Sequence, residues 1–250
     1  MSIREYLGSE IGRGGYGTIY MYKDNNSLCI KKTNKNNSCR VWSDEYNKMK
    51  KLIKNIGSEN LDSLKYVKII EPKELIEDEF GFCYMILKRI YRPEGRDVIK
   101  PTIQPLFGVE DRDIIFKGRG QFIGLKQIKE YVDIDNIPKI VYEFGKIMGM
   151  IHFIGKNDAY DMEVFLGKEE NSKICRFYIA DFDLSEEIKE YDKETIKRIE
   201  WSLSAIEFFP NKDNENDEYL KLFLKGYMEI AAENNIDTDV VMQIIEGYLE

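Results

Sequence analysis

The sequence predicts an α+β protein in two parts, and three observations predict it. Strand patterns punctuated by Gly/Asn turns dominate residues 1–91. The pattern breaks after the stretch "YRPEGR". Helical periodicity then prevails through residues 92–250. The chain has 250 residues and is 43% hydrophobic and 12% aromatic, enough apolar mass for a sizeable core and unlike a disordered chain.

Each element follows from a local signal. "SEIGRGGYGTIYMYK" and "SLCIKKT" flank the turn "DNN" and read as antiparallel strands. A helix is expected over 41–56, with Trp42, Tyr46, Met49, Ile53 and Ile56 as its apolar stripe. Two more strands, "YVKIIEPKELIED" and "GFCYMILKRI", surround a turn at Glu79–Gly81. Residues 97–137 are mixed, with a helical signal near 122–132. Pro138 opens a long apolar helix, "PKIVYEFGKIMGMIHFI", as proline does at a first helical position. Within it Gly145 and Gly149 lie four apart and permit close packing. "MEVFLG" and "KICRFYIADFD" form a strand pair joined by "KEENS". Helices are expected at 193–207, 217–232 and 238–249.

Charge and cysteines narrow the function classes. The net charge of −8 is uneven: residues 1–56 hold 11 Lys/Arg against 5 Asp/Glu, and residues 181–250 hold 7 against 19. A basic first part suits an anionic ligand, and an acidic tail disfavours general nucleic-acid binding. No apolar run reaches the ~18 residues of a membrane span, and the opening "MSIREYLGSE" lacks the apolar stretch of a secretory leader. The four cysteines show no CxxC spacing and there is one histidine, so no structural zinc site is expected. They read as reduced cysteines of a cytoplasmic protein.

The glycines pose the first chemical question. Gly12, Gly14 and Gly17 fit G-x-G-x-x-G, with Ile19 two residues on. Glycines let backbone N–H groups approach phosphate oxygens closely. A dinucleotide site would need a helix next. Here a strand follows, which favours a phosphate-covering loop between antiparallel strands. Lys31 lies twelve residues after Ile19, on the next strand, where it can reach the α- and β-phosphates. Strand alternation turns either Lys31 or Lys32 inward, and Lys31 is favoured. Glu45 lies at the edge of the apolar face of helix 41–56 and needs a cation; Lys31 is its expected partner.

The strand pair adds a second cluster. Glu163 begins one strand and Asp181 ends the other, so a hairpin brings both carboxylates to one sheet edge. Hard oxygen ligands there suit Mg²⁺ or Mn²⁺, and Asp183 could add a further ligand. Asp158 precedes Glu163 by five residues, the D-x-x-x-x-N spacing of a phosphoryl-transfer loop with Glu in place of Asn. Asp158 is the favoured proton acceptor and Asp161 the second candidate. His152 ends an apolar helix and reads as a structural brace.

"IGRGGYGTI", "CIKK", "DEYNKMKKL", "DAYDME" and "IADFD" fall in the order of eukaryotic protein-kinase motifs, and the chain resembles a kinase-fold protein. More closely, it looks like an uncharacterised, mainly fungal kinase-like family with a domain of unknown function, whose members often carry a zinc-finger label. "MILKRIYRP", "EDRDIIFKGRG", "MGMIHFIGKNDAYDMEVFLG" and "IADFDLSEEI" carry that likeness. The resemblance implies a two-lobed protein-kinase-like fold, with residues 1–91 as N-lobe and 92–250 as a reduced helical C-lobe. It implies ATP with Mg²⁺ or Mn²⁺ as cofactors and transfer of the γ-phosphate to a hydroxyl on a protein or small molecule. Lys31, Glu45 and Asp158 would serve catalysis, Gly12, Gly14, Gly17 and Ile19 the nucleotide, and Glu163 and Asp181 the metal. The chain departs from the kinase pattern at Lys156 and Asn157, which replace the usual His-Arg, at "DFD", where Asp183 replaces glycine, and in lacking an A-P-E segment. A pseudokinase that binds nucleotide or protein, and a kinase fold running another transfer such as nucleotidylation, remain alternatives.

Overall fold

The computed structural model describes residues 2–13, 17–34, 39–92, 103–105, 116–117, 120–204, 209–210 and 217–250. The fold is α+β. Strands β1 (Leu7–Arg13), β2 (Gly17–Tyr22) and β3 (Leu28–Thr33) lead into helix α1 (Cys39–Ile56) and the short α2 (Ser58–Ser63). Strands β4 (Val67–Ile69), β5 (Pro72–Glu77) and β6 (Cys83–Lys88) follow. Five of these strands form one antiparallel sheet in the order β1-β2-β3-β6-β5.

Alternation gives that sheet two faces. On one, Cys83 and Met85 pack with Trp42 and Cys39 of α1. On the other, Ile30, Tyr84 and Ile86 pack beneath the N-terminal turn carrying Ile3. Asp78 fastens that turn, accepting from Arg4 and from the Tyr84 hydroxyl.

The stretch over 66–78, read as one strand, holds two. β4 leaves the first sheet and pairs in parallel with the later hairpin, Val67 opposite Phe177. Three backbone N–H groups around it, of Lys65, Tyr66 and Val67, donate to the Glu143 carboxylate.

Next come the short strands β7 (Ile103–Pro105), β8 (Phe116–Lys117) and β9 (Gly120–Ile123), and α3 (Leu125–Ile128), which is shorter than the helical signal suggests. Helix α4 (Ile137–Gly149) runs into a π-helical turn over Met150–Ile154. The hairpin β10 (Glu163–Gly167) and β11 (Arg176–Ala180) follows, then α5 (Lys193–Ser204), α6 (Asp217–Glu233) and α7 (Thr238–Leu249). Residues 205–207 of the expected 193–207 helix lie outside the described residues.

Helices α4 and α6 cross where Gly145 meets the backbone of α6; a methyl there would collide with the Phe223 carbonyl. The main core gathers α4, α6, α7 and the hairpin around Phe144, Phe177, Phe223 and Tyr227. Among the described residues no helix is long and apolar enough to cross a membrane.

One expectation about the cysteines is overturned. Cys39 at the start of α1 and Cys83 in β6 form a disulfide, 44 residues apart in sequence. The apolar face of α1 lies directly on β6, which brings the two together. Cys29 and Cys175 take no part in a disulfide; burial pushes the Cys29 thiol up to about 12.

Candidate functional site

Lys31 is the hub. Register puts Ile19 opposite Lys31 and Gly12 opposite Ile19, so Lys31 and Ile19 share the α1 side of the sheet. Lys32 turns to the other face, over the Phe82 ring. The Lys31 ammonium lies 3.3 and 3.4 Å from the two Glu45 oxygens and 3.5 Å from Asp181 Oδ1. Burial alone would lower its pKa, but Asp181 and Glu45 outweigh that and hold it raised.

Glu45 is more central than its expected edge position. The buried stripe of α1 is Trp42, Glu45, Met49, Leu52 and Ile56, and Tyr46 and Ile53 flank it. Burial raises the Glu45 carboxyl, and Lys31 opposes that rise.

Trp42 was not among the expected site residues. Its ring sits 4.9 Å from the Lys31 ammonium. A methyl on Gly17 would lie 2.6 Å from the same ring. Gly17 is therefore required by the indole beneath it, whatever it does for a ligand. Gly14, with Gly15 and Tyr16, lies outside the described residues.

The hairpin brings in the carboxylates. Glu163 stands opposite Ala180, one residue before Asp181. Burial and then Asp181 push the Glu163 carboxyl up to about 7, against the pull of Lys31. Burial and Asp181 also raise Asp183. Asp161 is exposed at its backbone turn yet raised by partial burial and then by Asp183 and Asp181. Asp161 and Asp181 both hold left-handed backbone, at φ 61° and 65°. Asp181 and Asp183 thus link Lys31 and Glu45 on one side with Glu163 and Asp161 on the other in one electrostatic cluster.

Asp158 sits differently. It is 2% exposed. One carboxylate oxygen accepts from the backbone N–H groups of Tyr160 and Glu186, at 3.1 and 2.8 Å. The other accepts from Arg198 Nε at 2.5 Å. The residue expected as proton acceptor is thus a joint: its oxygens hold the loop, the 184–186 segment and α5 together. The same loop is tied by Asp158 N–H to the Glu186 carbonyl and by Ile188 N–H to the Lys156 carbonyl. Asn157 donates to Ser185 Oγ and accepts from Ala159 N–H. Lys156 and Ala159 also hold left-handed backbone, a costly conformation that these bonds maintain.

No family model and no curated protein matches this chain.

His152 fulfils its bracing role. It is fully buried, with Nδ1 2.8 Å from the Tyr227 hydroxyl and Nε2 3.4 Å from Ser202 Oγ. Burial depresses its pKa to about 3, which keeps it neutral. Lys48 is a second unexpected residue. It donates to the carbonyls of Asp183 and Ser185 at 2.9 and 2.6 Å, clamping α1 to the segment after β11. Its place three residues after Glu45, on the same helix face, was the available signal.

Among the described residues no three His, Cys, Asp or Glu side chains converge as a metal cage. Magnesium asks for less: one or two carboxylates, with the remaining positions filled by phosphate and water. Glu163 and Asp181 fit that requirement in chemistry, being oxygen donors at one sheet edge.

Proposed function

We propose that the chain is an ATP-dependent phosphotransferase of two-lobed, kinase-like fold, acting on a hydroxyl of a protein or small molecule. One observation carries this reading: Lys31 is held between Glu45 of α1 and Asp181 of the hairpin, where sheet, helix and hairpin meet. A partly buried lysine fixed by two carboxylates from different elements is poised to receive an anionic group, and phosphoryl transfer needs such positioning more than it needs covalent chemistry.

In this reading Glu45 orients the Lys31 ammonium toward the α- and β-phosphates. Glu163 and Asp181 would hold Mg²⁺, or Mn²⁺, which when bound neutralises phosphate charge. Ile19 and Cys29, on the same face as Lys31, offer apolar surface to the base. Asp161 takes the proton-accepting role, because both oxygens of Asp158 are engaged. The acceptor oxygen forms the new bond to the γ-phosphorus, its proton passes to Asp161, and the bond to the departing ADP breaks.

Calorimetric titration of MgATP into wild type and Asp181→Ala tests the reading. Wild type is expected to bind and the variant to lose metal-dependent binding. Equal affinity in both, with equal ATP consumption, would overturn it. The second reading is a nucleotide-binding module without turnover, which the engaged Asp158 and the indole beneath Gly17 favour. Tight MgATP binding with no transfer of labelled γ-phosphate to any lysate component would select it.

A further inference from the structure

Helix α5 presents an aromatic ledge beside this cluster. Tyr160, between Asp158 and Asp161, stacks on Trp201 with ring centroids 4.1 Å apart and planes at 23°. Trp201 remains 40% exposed and Leu184, just after Asp183, 53% exposed. Arg198 connects them: its Nη2 donates to the Leu184 carbonyl at 3.1 Å, and its guanidinium carbon lies 4.5 Å from the Tyr160 ring centroid. Arg198 joins α5 to the loop without the indole, through Asp158 and the Tyr160 ring. A partly open indole offers its ring face to a cation.

The surroundings say what the ledge would take. Asp161, Asp183 and the largely exposed Glu186 lie along it or beside it in sequence. Arg198 is matched by Asp158, and Lys197 on the same helix acts on Glu200. Arg198 also pairs with Glu186 at 3.7 Å, so Asp158 and Glu186 share one cation and, with Asp161 and Asp183 beside them in sequence, the carboxylates of this stretch outnumber it. The stack also already holds one guanidinium against its Tyr160 ring. A second cation on the open Trp201 face would repeat that contact, with the ring and nearby carboxylates both favouring it.

We propose that the Tyr160–Trp201 ledge docks a basic peptide segment, whose arginine or lysine rests on Trp201 while a neighbouring hydroxyl reaches Asp161. The hydroxyl's fate rests on the phosphotransfer reading; the docking does not.

The test is a titration of the full chain, without nucleotide, with a short glycine–alanine peptide carrying a pair of arginines and one serine. A counterpart with glutamates in place of the arginines is run beside it. Binding is followed by heat and by tryptophan fluorescence, and folding of each variant by circular dichroism. The arginine peptide is expected to bind wild type and to lose about tenfold in affinity with Trp201→Ala, while Trp201→Phe retains most of it. Unchanged affinity in Trp201→Ala overturns the ledge, as does equal binding of the glutamate peptide. Spermine binding as tightly as the peptide overturns the peptide assignment. Because nucleotide is absent, a protein that binds this peptide but not MgATP breaks the phosphotransfer reading and leaves the ledge standing.

Discussion

Asp158 and Glu163 lie five residues apart, the first buried and the second half-buried, and their surroundings are opposite. Asp158 accepts from two backbone N–H groups and an arginine. Glu163 faces Asp181, Asp161 and Asp183, with Lys31 as the opposing cation among the groups acting on it. A buried carboxylate surrounded by donors is a structural joint, stabilised as an anion. A half-buried carboxylate among other carboxylates resists ionisation, and a cation entering the site relieves it. Burial alone therefore does not tell structure from chemistry; the sign of the neighbours does.

The largest expected effect breaks the joint. Asp158→Ala leaves Arg198 without its buried partner and two backbone donors without an acceptor. We expect a loss of about 3–5 kcal/mol in urea unfolding. If the variant is as stable as wild type but has lost all transfer activity, Asp158 is the proton acceptor after all and the comparison fails.

The opposite sign is expected at Glu163. Its folded carboxyl titrates near 7, against about 4.3 for an unperturbed glutamate. The native state therefore holds the proton more tightly than the unfolded chain. Its contribution is fully present below the ordinary carboxylate range, declines as pH rises, and is lost once pH exceeds about 7. Glu163→Gln removes that penalty. In chelator-treated protein the variant should be more stable than wild type at pH 8, by on the order of 2 kcal/mol, and equal to it near pH 4. Thermal melts at both pH values decide it, and a less stable variant at pH 8 would mean that Glu163 is a joint like Asp158.

Much of the fold was legible because its signals are local. The hairpin periodicity, Pro138 at the head of α4 and the stripe of α1 depend on neighbours in sequence. So did the Lys31–Glu45 pair, since strand alternation and helix phase each point one side chain inward. The losses share a different cause. Arg198 is 40 residues from Asp158 and Cys83 is 44 from Cys39, separations that no periodicity reports. β4 departs from the first sheet because its partner is β11, more than a hundred residues later. In the 156–161 loop, left-handed backbone at Lys156, Ala159 and Asp161 redirects successive side chains. Counting residues from Asp158 to Glu163 therefore could not say which carboxylate would face the cluster. The arginine three residues before Trp201 on a largely polar helix was a signal available for α5, because that spacing puts both on one face.

Asp161 gives the smallest effect on stability and the sharpest test of the comparison. It shares the cluster with Asp181 and Asp183, and its carboxyl is raised by burial and by both of them. Its residue is exposed, however, so solvent screens most of that repulsion. Asp161→Asn keeps the shape and suits a left-handed backbone, where asparagine is well tolerated. We expect unfolding curves that superimpose on wild type at pH 7, and within the phosphotransfer reading a fall in transfer of about 10²-fold or more with MgATP affinity retained. The combination matters, because each carboxylate of the loop would then carry a separate signature: lost stability at Asp158, gained stability at Glu163, and lost turnover alone at Asp161. A clear destabilisation by Asp161→Asn would place this side chain among the joints and leave the loop without a free proton acceptor.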